Sequence, residues 1–209
     1  MARLIDMQTT IEASGGLPPG RARVLVAAGR KAGLFTSEGR GKRARIGTAD
    51  AVSALLMVLH VDLASEAVET AEALRALPLW SVEMFDMTGH LGGSGGATFF
   101  ATAPAEDLPP RLECLEAAAT LGAALRTLYD DQDGQWIAHH FDPNDRLELT
   151  RTRDAVSVDL HLAEDGGKRW WRLRFMAASD ENAVDAGTIV TSRTVRGRLL
   201  DALARLVEG

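Results

Sequence analysis

Basic side chains concentrate near the N-terminus of an otherwise acidic chain. Residues 1–50 hold nine of the 23 Lys and Arg residues and four of the 29 Asp and Glu residues, so this part carries +5 and the other 159 residues carry −11. Eight of the nine cations form two groups, one of Arg21, Arg23, Arg30 and Lys31 and one of Arg40, Lys42, Arg43 and Arg45. Duplex DNA is bound by several cations that converge on one surface, and binding responds to local potential rather than to the net charge. We therefore expect these eight residues to contact double-stranded DNA, the alternative being solvated surface charge.

The first basic group lies in a segment with helical character. Residues 3–13 suit a short helix that ends at residues 14–16, and residues 21–31 suit a second helix after a proline-containing connector. The side chains predicted to face the core are Leu4, Ile5, Met7 and Ile11 in the first helix and Val24, Leu25 and Ala28 in the second. Two short helices joined by a break are the minimum for a helix-turn-helix, whose second helix enters the major groove.

The second basic group lies in a predicted hairpin. Residues 34–47 have hydrophobic ends around a glycine-rich, basic middle, which is typical of a wing with a mobile tip. Thr48 is a good N-cap for a strongly apolar helix that continues to about residue 61. A further helix over residues 64–77 is stopped by Pro78.

This order of elements resembles the winged-helix domain of MerR-type regulators. The resemblance lies in Ala32-Gly33-Leu34-Phe35 at the end of the second helix, the basic wing at 40–45, and Thr48-Ala49-Asp50-Ala51-Val52 opening the apolar helix. It covers residues 3–77, about a third of the chain. It implies a winged helix-turn-helix in which Arg21 and Arg23 contact the groove and Arg40, Lys42, Arg43 and Arg45 contact DNA from the wing. The same domain type occurs in phage excisionases and small terminase subunits.

The remainder of the chain predicts a second domain of a different kind. Residues 79–96 include the glycine-rich stretch 90–96 and are expected to be a flexible linker between a DNA-binding domain at 1–78 and a domain at 97–209. Beyond the linker we expect a strand at 97–101, a helix at 108–129, three alternating strands at 146–151, 155–162 and 169–175, a strand at 188–191, and a C-terminal helix capped by Ser192. The fold class is therefore α+β, with an antiparallel meander in the second domain. The leucine stripe of the last helix is either core or a dimer seam.

Two adjacent tryptophans on the third alternating strand must face opposite ways. Trp171, Leu173 and Phe175 would share the buried face, which leaves Trp170 on the other face beside Arg172 and Arg174. A tryptophan among arginines is suited to binding a partner protein or single-stranded nucleic acid. The alternative is that a helix covers Trp170.

Other reactive side chains lack the spacing that chemistry would need. His139 and His140 would face opposite sides of a strand, which is poor geometry for a shared metal with Asp142 or His161. The acidic residues at 130–133 lack the rest of a calcium loop, residues 90–96 lack the ending of a phosphate-binding loop, and Cys114 suits a core position. We expect no metal, no cofactor and no enzymatic activity.

The sequence thus predicts a transcription regulator that binds double-stranded DNA sequence-specifically. A relation to phages or prophages is one of the possibilities. The alternative is an adaptor that docks DNA onto a packaging, excision or replication machine. We expect a homodimer, because two half-sites multiply affinity, and a protein partner for the C-terminal domain. No run of about 18 apolar residues and no apolar leader at Met1–Asp6 occur, so we expect a cytoplasmic protein with no membrane contact.

Overall fold

Four helices precede all the described strands in the computed structural model, which describes residues 3–15, 17–18, 20–35, 46–59, 66–86, 101–102, 115, 118–129, 141–164, 169–177 and 189–208. The helices in these residues are α1 (Leu4–Ser14), α2 (Arg21–Ala32), α3 (Thr48–Leu59), α4 (Ala67–Arg75), α5 (Leu121–Tyr129) and α6 (Gly197–Glu208). The strands are β1 (Leu79–Asp86), β2 (Ala101–Thr102), β3 (Arg146–Thr152), β4 (Val156–Glu164), β5 (Arg169–Met176) and β6 (Ile189–Arg196). The predicted α+β class, with N-terminal helices followed by strands, is confirmed, whereas the winged helix-turn-helix stays a prediction.

The strands form one antiparallel sheet in the order β2-β1-β5-β4-β3-β6. Strands β3, β4 and β5 follow one another in the chain and in the sheet, so the predicted meander is confirmed. Ser192, predicted to cap the C-terminal helix, instead lies within β6 opposite Thr150. Pairing with β3 keeps the chain extended as far as Arg196, and the helix begins only at Gly197.

Residues 79–86, predicted to belong to a flexible linker, form strand β1. This strand pairs with β5 from Leu79 opposite Phe175 to Asp86 opposite Arg169. Val82 and Met84 pack against the hydrophobic core, which stabilises the strand beyond its backbone hydrogen bonds. Residues 87–96 of the predicted linker lie outside the described residues, as do the predicted strand at 97–100 and most of the helix expected before residue 121.

Helix α3 lies at the centre of the structure and is buried on every side. Each of its residues from Asp50 to Leu59 is buried, and it contacts α2, α4, α5, α6, β3 and β6. A helix that is apolar all round belongs in a core. Its first turn is closed by Asp50, whose carboxylate accepts the Gly47 N–H at 3.0 Å.

One hydrophobic cluster connects the N-terminal helices with the sheet and the last helix. It includes Met7 of α1, Leu55 of α3, Leu149 of β3 and Leu203 of α6. The elements before residue 79 and the described elements of the C-terminal half therefore share one core. The leucine stripe of α6 faces this core, which decides between the two alternatives for the last helix.

Helix α1 packs against α2 and α6 and buries Met7 and Ile11. Ile5, which we expected on the inner side, is 58% exposed. On an α-helix, side chains three or four positions apart lie on the same face. The buried pair at positions 7 and 11 places position 5 outside.

Candidate functional site

Helix α2 separates its side chains into a buried face and a basic exposed face. Its buried residues are Ala22, Leu25, Val26 and Gly29. Its exposed residues are Arg23, Val24, Ala27, Arg30, Lys31 and Ala32. Val24, which we expected in the core, is 50% exposed, and Val26 takes its place. Three consecutive apolar residues cannot all face one side of a helix, so the packing of the flanking small residues decides which of them turn inward.

Gly29 determines how closely α2 approaches its neighbours. A Cβ at this position would lie 2.5 Å from Cε2 of Phe35 and 3.1 Å from Sδ of Met57 in α3. The phenyl ring of Phe35 is itself buried. The absence of a side chain at Gly29 therefore lets Phe35 pack directly on the backbone of α2, which holds Arg23 and Arg30 on the outer side.

The C-terminal end of α2 is closed by a glycine in the left-handed region. Gly33 has φ +77°, and its N–H donates to the Arg30 carbonyl oxygen while the Leu34 N–H donates to that of Gly29. This arrangement satisfies carbonyl groups that the helix leaves open. Arg30 and Lys31 lie in the last turn, where a positive charge is favoured by the helix dipole.

The eight predicted DNA-contacting residues are placed as follows. Arg23, Arg30 and Lys31 share the exposed side of α2. Arg21 begins the helix, is half-buried and is engaged in an interaction within the chain. Arg40, Lys42, Arg43 and Arg45 lie outside the described residues. Phe35 and Ile46, which flank the predicted wing, are both buried in the core.

The second face of the sheet carries a band of charged side chains. Trp171, Leu173 and Phe175 are buried in the core, as we expected. Across the opposite face, one row of directly paired residues runs Arg196, Arg146, His161, Arg172 and Glu83, and the next row runs Thr194, Glu148, Asp159, Arg174 and Ser81. Sequence alternation predicted that Arg172 and Arg174 lie on this face but did not predict their cross-strand neighbours.

Two of the three predicted partner-binding residues are held in ion pairs within the sheet. The Arg172 guanidinium contacts the Glu83 carboxylate. Arg174 donates to both carboxylate oxygens of Asp159, from Nε at 3.0 Å and from Nη2 at 3.2 Å. The side chains of Arg174 and Asp159 are only 15% and 11% exposed. These guanidinium groups are thus neutralised by neighbours from other strands, and partner binding by Arg172 and Arg174 stays a prediction.

Trp170, the third residue of that prediction, contacts a different arginine. The guanidinium carbon of Arg146 lies 5.6 Å from the centroid of the Trp170 ring, within the range of a cation–π interaction. Both residues line a cavity of about 340 Å³ at the β3–β6 side of the sheet. The other described residues that line it are Pro143, Asn144, Thr194 and Arg196.

His161 lies between these arginines and is uncharged at neutral pH. Burial, together with the charges of Arg146, Arg172 and Arg174, lowers the pKa of His161 to about 4. The Glu148 carboxylate, 3.7 Å from Nε2 of His161, favours the protonated imidazole, but its effect on the pKa is smaller than the combined effect of burial and the three arginines. Nε2 is buried and has no hydrogen-bond partner in the described part of the chain.

The described residues were also searched for metal sites and for membrane-spanning helices. Among them, no group of three or more His, Cys, Asp or Glu side chains is placed to hold a metal ion. His139, His140, Cys114 and the acidic residues at 130–133 lie outside the described ranges. Within those ranges no helix is both long and apolar enough to cross a membrane.

Comparisons of the chain with protein-family models, with curated proteins and with solved structures found no match.

Proposed function

We propose that this protein is a sequence-specific regulator of transcription that binds double-stranded DNA, with α2 as the helix that enters the major groove. The observation that supports this proposal is the outer side of α2, where Arg23, Arg30 and Lys31 lie together. The helix contains no acidic residue to neutralise them. An α-helix fits the major groove, and arginine is the residue that most often reads guanine there.

The dimensions of α2 suit this role. Its 12 residues make a helix of about 18 Å, long enough to lie across a groove and reach phosphates at both ends. Arg23 lies near its N-terminal end, where recognition helices contact base edges, and Arg30 and Lys31 lie in its last turn. Val24 and Ala27 are exposed beside these cations and can contact thymine methyl groups.

The remaining parts of the proposal extend this interface. In this proposal the neighbouring DNA backbone is contacted by the residues of the predicted wing, Arg40, Lys42, Arg43 and Arg45, which follow the buried Phe35 and precede the buried Ile46 in the chain. Two copies of the chain bind two half-sites, because one helix of this size buries little groove surface.

The test compares two pairs of arginine substitutions in the full chain. Fluorescence anisotropy with fragments of the source genome measures binding of wild type, Arg23→Ala/Arg30→Ala and Arg126→Ala/Arg198→Ala across a salt series. Arg126 and Arg198 are also exposed and lie on α5 and α6, so the second pair removes the same charge elsewhere. We expect the α2 pair to weaken binding and to reduce the magnitude of the slope of log K against log salt by about 1 for each phosphate contact removed, and the control pair to leave the slope unchanged.

Two results would overturn the proposal. One is the absence of salt-sensitive binding to any fragment in the wild type, and the other is an equal effect of the two arginine pairs. Footprinting then separates a regulator from a docking adaptor. A regulator protects a discrete site near a promoter and an adaptor does not.

A further inference from the structure

Two arginines face each other across neighbouring strands beside the cavity near Trp170. Arg146 of β3 and Arg196 of β6 are direct cross-strand partners on the same face of the sheet. Like charges directly opposite each other destabilise a sheet unless a counter-charge lies nearby. Both side chains line the cavity, so this repulsion is concentrated at its wall.

The described residues compensate only one of these two charges. Nε of Arg146 lies 3.7 Å from Oε2 of Glu148, and the same oxygen lies 3.7 Å from Nε2 of His161. Arg196 is exposed and makes no ion pair within the described part of the chain. Helix α6 begins at the next residue, Gly197, and a helix N-terminus adds a partial positive charge. The cavity is therefore suited to an anion.

The wall of the cavity also offers a flat surface. Arg146 lies over the ring of Trp170, and both aromatic rings and guanidinium planes are surfaces on which nucleobases stack. Asn144 and Thr194 add polar side chains at the rim. The volume of about 340 Å³ lies at the lower end of the range of small-molecule sites, which is about 300–1,000 Å³.

We propose that this cavity binds a nucleoside monophosphate, with the phosphate held by Arg196 and Arg146 and the base stacked against Arg146 and Trp170. Arginine is the side chain best matched to a phosphate, because its planar fork donates two parallel hydrogen bonds. The inference is independent of the proposed DNA binding by α2, since it uses none of the same residues.

The test is calorimetric titration of the full chain with each of the four ribonucleoside monophosphates, and with inorganic phosphate and the four matching nucleosides as the separate halves of the ligands. We expect at least one monophosphate to bind about tenfold or more tightly than either half. Arg196→Ala should weaken that binding about tenfold or more, and Arg198→Ala, a neighbouring exposed arginine that does not line the cavity, should change it less than about twofold.

Tryptophan fluorescence supplies a second readout that does not depend on losing affinity. The change in tryptophan fluorescence that accompanies nucleotide binding should disappear in Trp170→Phe. It should persist in Trp80→Phe, since Trp80 lies in β1 and does not line the cavity. The proposal is overturned if no monophosphate binds at millimolar concentration, if inorganic phosphate binds as tightly as the nucleotides, or if Arg196→Ala binds like wild type. Because DNA is absent from these titrations, a negative result would count against nucleotide binding at the cavity and not against DNA binding by α2.

Discussion

His161 is a residue whose charge is controlled by its neighbours in the sheet. It lies between Arg146 of β3 and Arg172 of β5, and it is buried enough for the neutral imidazole to be favoured. A protonated His161 would add a fourth positive charge beside Arg146, Arg172 and Arg174. Glu83 and Asp159 are engaged in ion pairs with Arg172 and Arg174, and Glu148, 3.7 Å from Nε2 of His161, does not offset burial and the three arginines.

The stability of the protein should therefore fall as pH is lowered through the range in which His161 of the unfolded chain takes up a proton. The pKa of His161 is about 4 in the folded protein and 6.5 in the unfolded chain, so between these values the unfolded chain binds more protons. The free energy of unfolding then rises with pH, and this residue alone accounts for about 1–2 kcal/mol between pH 5 and pH 7. Urea unfolding of wild type and His161→Gln at pH 5, 6 and 7 measures this contribution. A pH dependence in His161→Gln as steep as in wild type would contradict it.

At the scale of elements, the rotation of α2 about its own axis decides which of its residues meet solvent. Ala22, Leu25, Val26 and Gly29 face inward because Phe35 packs against the backbone at Gly29. The same rotation places Arg23 and Arg30 together on the outside. A larger residue at position 29 would push the helix away from Phe35 and α3.

Gly29→Ala should destabilise the protein even though alanine favours helix formation. The added methyl group would meet the buried Phe35 ring, and overpacking of this kind costs about 1–3 kcal/mol, of which the better helix propensity returns about 1 kcal/mol. Denaturant unfolding of Gly29→Ala, Phe35→Leu and the double variant measures the coupling. Because Phe35→Leu removes the ring atoms that clash, Gly29→Ala should cost less in that background. Additive effects would show that the close approach has no energetic consequence.

At the scale of the whole molecule, the N-terminal helices depend on the C-terminal half for burial. Helix α1 contacts α6, and α3 contacts β3, β6 and α6. Met7, Leu55 and Leu203 belong to one cluster although they lie far apart in the chain. The predicted DNA-binding segment thus shares its core with residues that follow it by more than a hundred positions.

We expect a fragment of residues 1–78 not to fold by itself. It lacks α6, β3 and β6, so the apolar sides of α1 and α3 would be exposed to water, and each buried side chain of this kind contributes about 1.5–3 kcal/mol. Circular dichroism and an amide NMR spectrum show whether the fragment is folded, with the full chain as control. Dispersed amide signals and cooperative melting of the fragment would contradict the expectation. Tests of DNA binding accordingly use the full chain.

Helix bounds and strand faces that follow from a short repeat of apolar residues were predictable from the sequence alone. The bounds of α2 follow from its apolar spacing and from Gly33, and the meander follows from the alternation of three successive segments. The inward positions of Trp171, Leu173 and Phe175 follow from the same alternation. Each of these depends on residues a few positions apart, whose geometry the backbone repeats.

Features that join distant segments were not predictable in this way. The strand at Leu79–Asp86 owes its existence to pairing with β5, some ninety residues later, and the counter-charge for Arg172 comes from Glu83 on that strand. The close approach at Gly29 depends on Phe35 and Met57, and the cavity between Arg146, Trp170 and Arg196 depends on three strands. Local spacing limits a residue to a helix or strand face, but contacts between segments far apart in sequence decide what that face meets.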